Sequence, residues 1–117
     1  MPCTHVVLCK FPHLSSETFQ TVLAGFNNLL HTSRKPDGSP YIISGKAGHE
    51  NSPSSSAWTT DHGYTHGFIV EFSSKEDRDY YLLEDPLHAE FAVEFVRLVP
   101  EAGEGKGNVL VFDFEGV

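Results

Sequence analysis

Basic residues are scarce in this sequence, and this scarcity limits the partners it can have. Lysine and arginine total 8 against 16 aspartates and glutamates, so the formal net charge is -8. Nucleic-acid binding depends largely on basic side chains at phosphates, and anionic membrane surfaces attract proteins through the same side chains. We therefore expect neither nucleic acid nor a membrane surface as a partner.

Long apolar runs and a leader sequence are also missing. No apolar stretch approaches the ~20 residues that span a bilayer, and residues 1–5 (MPCTH) lack the basic start of a secretory signal. The two cysteines, Cys3 and Cys9, fall on one predicted strand that would hold them about 20 Å apart, too far for a disulfide. These features predict free thiols in a reducing compartment and a cytoplasmic protein.

The apolar residues that are present follow helical and strand periods in a definite order. Spacing at i, i+3 and i+4 predicts a helix from Ser15 with an apolar stripe between Phe19 and Leu30. Serines before acidic residues at 73–77, and the pair Asp85-Pro86, predict the starts of two further helices. Alternation predicts four strands, over residues 4–11, 41–45, 64–72 and 108–115.

A polar segment over residues 45–63 separates the second and third predicted strands. Loops of this length are usually either functional lids or disordered. Trp58 favours a partly ordered lid, because a large indole in a polar loop tends to pack against something.

The order strand, helix, strand, strand, helices, strand is that of the split βαβ, or ferredoxin-like, fold. We predict one α+β domain over residues 1–117, with βαββαβ order and a four-stranded antiparallel sheet whose helices cover one face. A bare and apolar second face is typical of an association surface. We therefore expect a homodimer, a dimeric α/β barrel, that forms through the residues predicted on that face: Val6, Leu8, Ile69, Leu110, Phe112 and Phe114.

Four short segments stand out at the predicted element boundaries. They are residues 5–8 (HVVL), 63–66 (GYTH), 85–91 (DPLHAEF) and 109–114 (VLVFDF). Together they resemble the stress-responsive A/B barrel family, also called dimeric α/β barrel (Dabb) proteins. The resemblance covers nearly the whole chain and implies the same fold and the same sheet-to-sheet dimer.

The resemblance also implies a range of activities. Members of the family include stress-induced proteins without clear catalysis, lyases, and a plant polyketide cyclase that forms olivetolic acid by intramolecular aldol chemistry. The cyclase has histidines that match His5, His66 and His88. It also has a tyrosine before the histidine that matches His88, and their separation in sequence is one residue shorter than that between Tyr81 and His88. The long loop and Asp85, which replaces a histidine of the cyclase, resemble fungal members.

His88 is the strongest candidate for acid/base chemistry. It falls in the first turn of a predicted helix, where N–H groups disfavour an imidazolium, so a neutral ring can remove a proton alpha to a carbonyl. Tyr81 and His66 would then hydrogen-bond the developing enolate oxygen. We expect His66 to meet His88, because the helix that follows the third strand should return the chain toward the start of that strand.

A pocket between helices and sheet would contain further side chains, and no metal or cofactor is predicted in it. In simple register His5 would lie about 20 Å from His66, which disfavours a metal site between them. Packing roles remain open for His5, His66, Tyr81 and His88. The predicted substrate-binding residues are His5, Val7, Cys9, Phe68, Val70 and Phe91.

These residues predict a cofactor-independent cyclase or lyase that acts on a polyketide-like or other carbonyl compound. The alternative is a non-catalytic dimeric stress-response or ligand-binding protein. The two differ in what they require of the interior, because the enzyme needs a pocket beside His88, whereas the alternative predicts an interior filled by side chains.

Overall fold

Four strands form one antiparallel sheet in the spatial order β2-β3-β1-β4: β1 (Cys3–Cys9), β2 (Ile42–His49), β3 (His66–Phe72) and β4 (Val109–Glu115). The computed structural model describes residues 1–53 and 62–116. Its helices are α1 (Ser16–Thr32), α2 (Lys75–Leu83) and α3 (Pro86–Leu98), and a short 3-10 helix follows over Pro100–Ala102. This is the ferredoxin-like βαββαβ arrangement that the order of elements predicted.

Each of the three α-helices begins at a side-chain cap. Ser15 and Ser74 each accept a hydrogen bond from the backbone N–H three residues later. Asp85 accepts one from the N–H of Leu87 at 2.9 Å, and Pro86 fills the first position of α3. Such caps satisfy N–H groups that have no partner within the helix. The predicted starts of all three helices are therefore confirmed.

The register of the central strand decides which side chains share a face. Cys9 of β1 pairs with His66 on β3, while His5 pairs with Val70 on β3 and Asp113 on β4. Side chains at paired positions point to the same face of a sheet. His5, Val70 and Asp113 therefore all lie on the face that the helices cover.

β2 is longer than the sequence pattern predicted. It pairs with β3 from Ile42 to His49, so residues 46–49, which the sequence pattern assigns to the loop, belong to the strand. Glycines at 45 and 48 weaken the local strand signal, and pairing with β3 overrides it. The predicted lid residue Trp58 lies outside the described residues.

The core lies between the sheet and the helices. Phe19, Val22, Phe26 and Leu29 of α1 are its buried stripe, as the helical spacing predicted. Both cysteines are free and buried. Burial raises the pKa of both thiols, that of Cys9 to about 12.

The second face of the sheet exposes apolar side chains. On β4, Leu110, Phe112 and Phe114 are 43%, 63% and 48% exposed. The side chains of Val6, Leu8 and Ile69 are partly exposed on the same face. Among residues 1–53 and 62–116, no helix is long and apolar enough to cross a membrane.

Candidate functional site

A cavity of about 270 Å³ lies between the sheet and the α2–α3 pair. Most of its wall is aliphatic or aromatic, and the polar groups in the wall are two imidazoles and one phenol. A hollow of about 710 Å³ lies outside the α2–α3 junction, but neither imidazole reaches it. The residues lining the smaller cavity are His5, Val7, Phe26, Phe68, Val70, Tyr81, Leu82, His88, Phe91, Ala92, Phe95, Val109 and Val111.

His88 enters the cavity from the first turn of α3. Its ring centroid lies 4.3 Å from that of Tyr81. Burial and, to a smaller extent, the nearby His5 lower the pKa of His88, and the charge of Asp85 offsets part of this effect. The ring is therefore neutral at pH 7, and one of its nitrogens can accept a proton.

Tyr81 is the tyrosine of α2 that faces the cavity. It is buried and packs against Phe72 at 5.2 Å and His5 at 6.1 Å between ring centroids. Burial, together with the charge of Asp85, raises the pKa of Tyr81, so its hydroxyl stays protonated and can donate a hydrogen bond. Tyr80 points elsewhere and donates to the carbonyl oxygen of Arg34 at 3.1 Å.

The hydroxyl of Tyr81 and the ring of His88 share a further property. Within the described part of the chain, neither forms a hydrogen bond to another residue. Tyr81 is buried and His88 is half-buried, and polar groups in such positions normally have a partner. Both groups are thus available to a molecule that enters the cavity.

His5 reaches the same cavity from the centre of the sheet. It is 5% exposed, and its Nδ1 lies 2.8 Å from Oδ1 of Asp113 on the neighbouring strand. The other carboxylate oxygen, Oδ2, accepts a hydrogen bond from Nη1 of Arg78 at 2.7 Å. Strand alternation places Asp113 on the face opposite Phe112 and Phe114, but the pairing of Asp113 with His5 depends on the register of β1 and β4.

His66 does not lie where the sequence predicted. It packs against Phe19 and His49, with centroid distances of 4.4 and 4.6 Å, and it is absent from the cavity wall that contains His88. The prediction assumed that α2 returns the chain along β3. Tyr81 near the end of α2 still packs on Phe72 at the end of β3. It is α3 that makes the return, because its Phe95 packs against Phe68 near the start of β3, with a centroid distance of 5.6 Å.

His66 is buried in an aromatic environment. Its Nδ1 lies 2.6 Å from Oγ1 of Thr65, whereas its Nε2 is buried and has no hydrogen-bond partner among the described residues. Burial, with a smaller contribution from His49, lowers the pKa of His66. The register separates His66 from His5 by about 13 Å along the strand, less than the 20 Å expected.

Most predicted substrate-binding residues line the cavity, with one exception. Cys9 is fully buried in the core and does not reach the wall. Sequence reasoning did not assign the cavity residues Phe26, Leu82, Ala92, Phe95, Val109 and Val111 to the pocket. Helical spacing from His88 already groups Ala92 and Phe95 with it, and strand alternation groups Val109 and Val111 with Asp113.

The start of α3 is anchored from outside the cavity. Asp85 is 2% exposed, and its Oδ2 accepts a hydrogen bond from the hydroxyl of Tyr41 while Oδ1 caps the helix. Burial and the neighbouring Asp85 raise the pKa of Tyr41, so the phenol remains the donor. The described residues contain no group of three or more His, Cys, Asp or Glu side chains that could hold a metal ion.

Comparisons with known proteins agree with this fold. The model of the stress-responsive A/B barrel domain (Dabb) matches residues 3–116. A structure of the Arabidopsis thaliana protein At3g17210 is 28% identical, with 98% of this chain and 95% of that chain covered and a TM-score of 0.70. A search of curated proteins finds no match.

Two further structures share the fold at lower identity. The hydroxynitrile lyase of Passiflora edulis is 24% identical, with 97% and 91% of the two chains covered and a TM-score of 0.69. A Jannaschia sp. protein of unknown function, described as dimeric and ferredoxin-like, is 19% identical, with 99% and 100% covered and a TM-score of 0.71. The predicted ferredoxin-like fold is confirmed.

Proposed function

Because this chain belongs to the stress-responsive A/B barrel domain (Dabb) family, we propose that it is a cofactor-independent enzyme that makes or breaks a bond next to a carbonyl group. The observation that carries the proposal is the pairing of a neutral His88 with a protonated Tyr81 at a mostly apolar cavity. The hydroxynitrile lyase of Passiflora edulis, which shares the fold, lends support to lyase chemistry.

The proposed reaction begins with proton transfer to His88. A ring nitrogen takes the proton alpha to the carbonyl, and the hydroxyl of Tyr81 donates a hydrogen bond to the oxygen on which negative charge develops. In the aldol direction the resulting carbon nucleophile attacks a second carbonyl of the same molecule. The imidazolium of His88 then returns its proton to the new alkoxide. The second histidine of the proposed site is His5 rather than His66, and the hydrogen bond to the developing enolate oxygen comes from Tyr81 alone.

The size of the cavity limits the substrate. At about 270 Å³ it falls just below the roughly 300–1,000 Å³ of pockets that bury drug-sized ligands. Its apolar wall favours an uncharged compound that carries an aromatic or short aliphatic group. A small polyketide-like ketone meets both conditions. The cyclase activity, and the likeness to the plant cyclase and to fungal members, remain predictions that belong to this proposal.

The test uses exchange of alpha hydrogens, which reports the first step without knowledge of the true substrate. The protein is incubated in D₂O at pH 7 with 4-phenylbutan-2-one, and proton NMR follows loss of the alpha signals. We expect exchange above the buffer rate, and a loss of about a hundredfold or more in His88→Ala. His31→Ala, which removes an exposed histidine from α1, is the matched control.

The outcomes separate the enzyme from its alternative. Tyr81→Phe should slow exchange while leaving His88 in place, because it removes only the hydrogen-bond donor. Full activity in folded His88→Ala would remove His88 from the mechanism. If the ketone binds to the cavity but no carbonyl compound exchanges faster than in buffer, the chain is the ligand-binding protein and the enzyme proposal fails.

The homodimer is a second part of the proposal. It would form through the apolar sheet face, whose most exposed large side chain is Phe112. Phe112→Lys should convert a dimer into a monomer in sedimentation at micromolar concentration. Val93→Lys changes an equally apolar position, 73% exposed on the outside of α3, and should leave the dimer intact. A monomeric wild-type protein would contradict this interface.

A further inference from the structure

The carboxylate of Asp113 is shared between two side chains. Oδ1 lies 2.8 Å from Nδ1 of His5, and Oδ2 accepts a hydrogen bond from Nη1 of Arg78 at 2.7 Å. A carboxylate can only accept hydrogen bonds, so the imidazole nitrogen that faces it must carry the proton. When the ring is neutral, the contact with Asp113 therefore specifies the tautomer of His5, with hydrogen on Nδ1 and a lone pair on Nε2.

Arg78 holds the outer side of this arrangement. It comes from α2, and its Nη1 also lies 3.4 Å from Sγ of Cys3, while its Nε donates to Asp79 at 2.8 Å. The side chains of Arg78 and Asp113 are 20% and 17% exposed. A pair so far removed from water is screened less by salt than a surface pair, and the planar guanidinium fixes the direction of its donors.

We infer that Arg78 is a positioning residue of the cavity, which through Asp113 holds His5 in a single tautomer whose bare Nε2 serves the site opposite His88. This inference rests on the proposed function, since it gives that same site a second, oriented acid/base group. Oriented imidazoles of this kind depend on the partner of their other nitrogen. The alternative is that the ion pair of Arg78 and Asp113 only links α2 to β4 and does not affect the tautomer of His5.

The tautomer can be measured directly. In protein labelled with ¹⁵N-histidine, long-range ¹H–¹⁵N correlation spectra distinguish a protonated Nδ1 from a protonated Nε2, and the loss of signals in His5→Gln assigns the ring. We expect wild-type His5 to carry its proton on Nδ1 at pH 8. In Arg78→Met the carboxylate of Asp113 loses the partner that fixes its Oδ2 and can turn away from His5. We therefore expect a mixture of tautomers and an exchange rate that is tenfold to a hundredfold lower, as misplaced catalytic groups commonly show.

Two variants keep the test decisive. Arg97→Met removes an arginine whose Nε donates to Glu94 at 2.8 Å on the exposed side of α3, and it should change neither readout. If Arg78→Met folds poorly, Arg78→Lys takes its place: it keeps the charge but loses the fixed donor directions of the guanidinium, so it should also give a mixture of tautomers, and an unchanged tautomer in it would overturn the inference. A wild-type His5 with its proton on Nε2, or an unchanged tautomer in folded Arg78→Met, would overturn the inference. Either result is independent of the exchange assay, so failure of the proposed function is seen separately.

Discussion

Replacing His66 with phenylalanine separates a core role for this residue from a catalytic one. The ring packs on Phe19 and His49, and phenylalanine preserves an aromatic ring at that place. The change deletes the contact between Nδ1 and Thr65, but the Thr65 hydroxyl keeps its bonds to the backbone of Phe11 and Cys9. It also deletes the buried Nε2, which has no partner among the described residues.

The effect on stability has two parts. At pH 8 the lost hydrogen bond costs about 0.5–1.5 kcal/mol, and removal of an unpartnered polar atom returns about 1–3 kcal/mol. Below pH 6.5 the difference in stability between the two proteins also depends on proton binding by His66. Because burial and His49 lower the pKa of folded His66, the unfolded chain binds more protons between that pKa and about 6.5. As the pH is lowered through this range, His66 therefore decreases the free energy of unfolding of the wild type, by at most about 1.4 kcal/mol per pH unit.

Urea denaturation between pH 8 and pH 5 measures this difference. At pH 8 these two terms make His66→Phe between about 0.5 kcal/mol less stable and about 2.5 kcal/mol more stable than wild type. Below pH 6.5 we expect the difference to shift further in favour of the variant, because it loses less stability. The pKa of His88 is also lowered, but His88 is present in both proteins, so its contribution to the pH dependence of stability cancels in the comparison. Exchange activity should persist in the variant. Parallel stability profiles, or loss of exchange in a folded variant, would refute the core role of His66.

Two further substitutions test the packing around the site. A Cβ at Gly45 would lie 2.7 Å from Cδ2 of Leu30, which can rotate away, and 3.2 Å from the backbone oxygen of Ile69, which cannot, so Gly45→Ala should lower the free energy of unfolding by about 1 kcal/mol in urea. Gly48→Ala on the same strand meets nothing within 4 Å and should be neutral or stabilising by about 0.4–1 kcal/mol, so equal losses would contradict the packing argument. Asp85→Ala should cost about 2–4 kcal/mol in thermal or urea unfolding, because it uncaps α3 and leaves the buried hydroxyl of Tyr41 without its acceptor. The exposed Glu104→Ala is its control, and similar melting of both variants would show that Asp85 contributes little.

Features that depend on local patterns were predictable from the sequence. The caps at Ser15, Ser74 and Asp85 are local signals, and the apolar stripe of α1 follows from spacing alone. Alternation along β4 separated Asp113 from Phe112, which is enough to say which of them faces the helices. These features are encoded within a few residues, so the folded structure adds little to them.

The arrangement of the site was less predictable, because it depends on contacts between distant segments. His5 meets Asp113 through strand register, and nothing near either residue in the sequence specifies that register. The misplaced His66 has a similar cause. Two helices follow β3, and the sequence pattern does not say which of them returns the chain. The part of β2 at residues 46–49 was not predicted, because pairing with β3, rather than local composition, decides it.

The anchoring of α3 has a consequence for how the cavity can adapt. His88, Phe91, Ala92 and Phe95 all line the wall from this one helix, and its first residues are fixed by the buried pair of Asp85 and Tyr41. A helix held in this way does not slide to make room for a larger molecule. Acceptance of new substrates would instead require changes in side-chain size along α3, and Ala92 is the smallest residue on that wall.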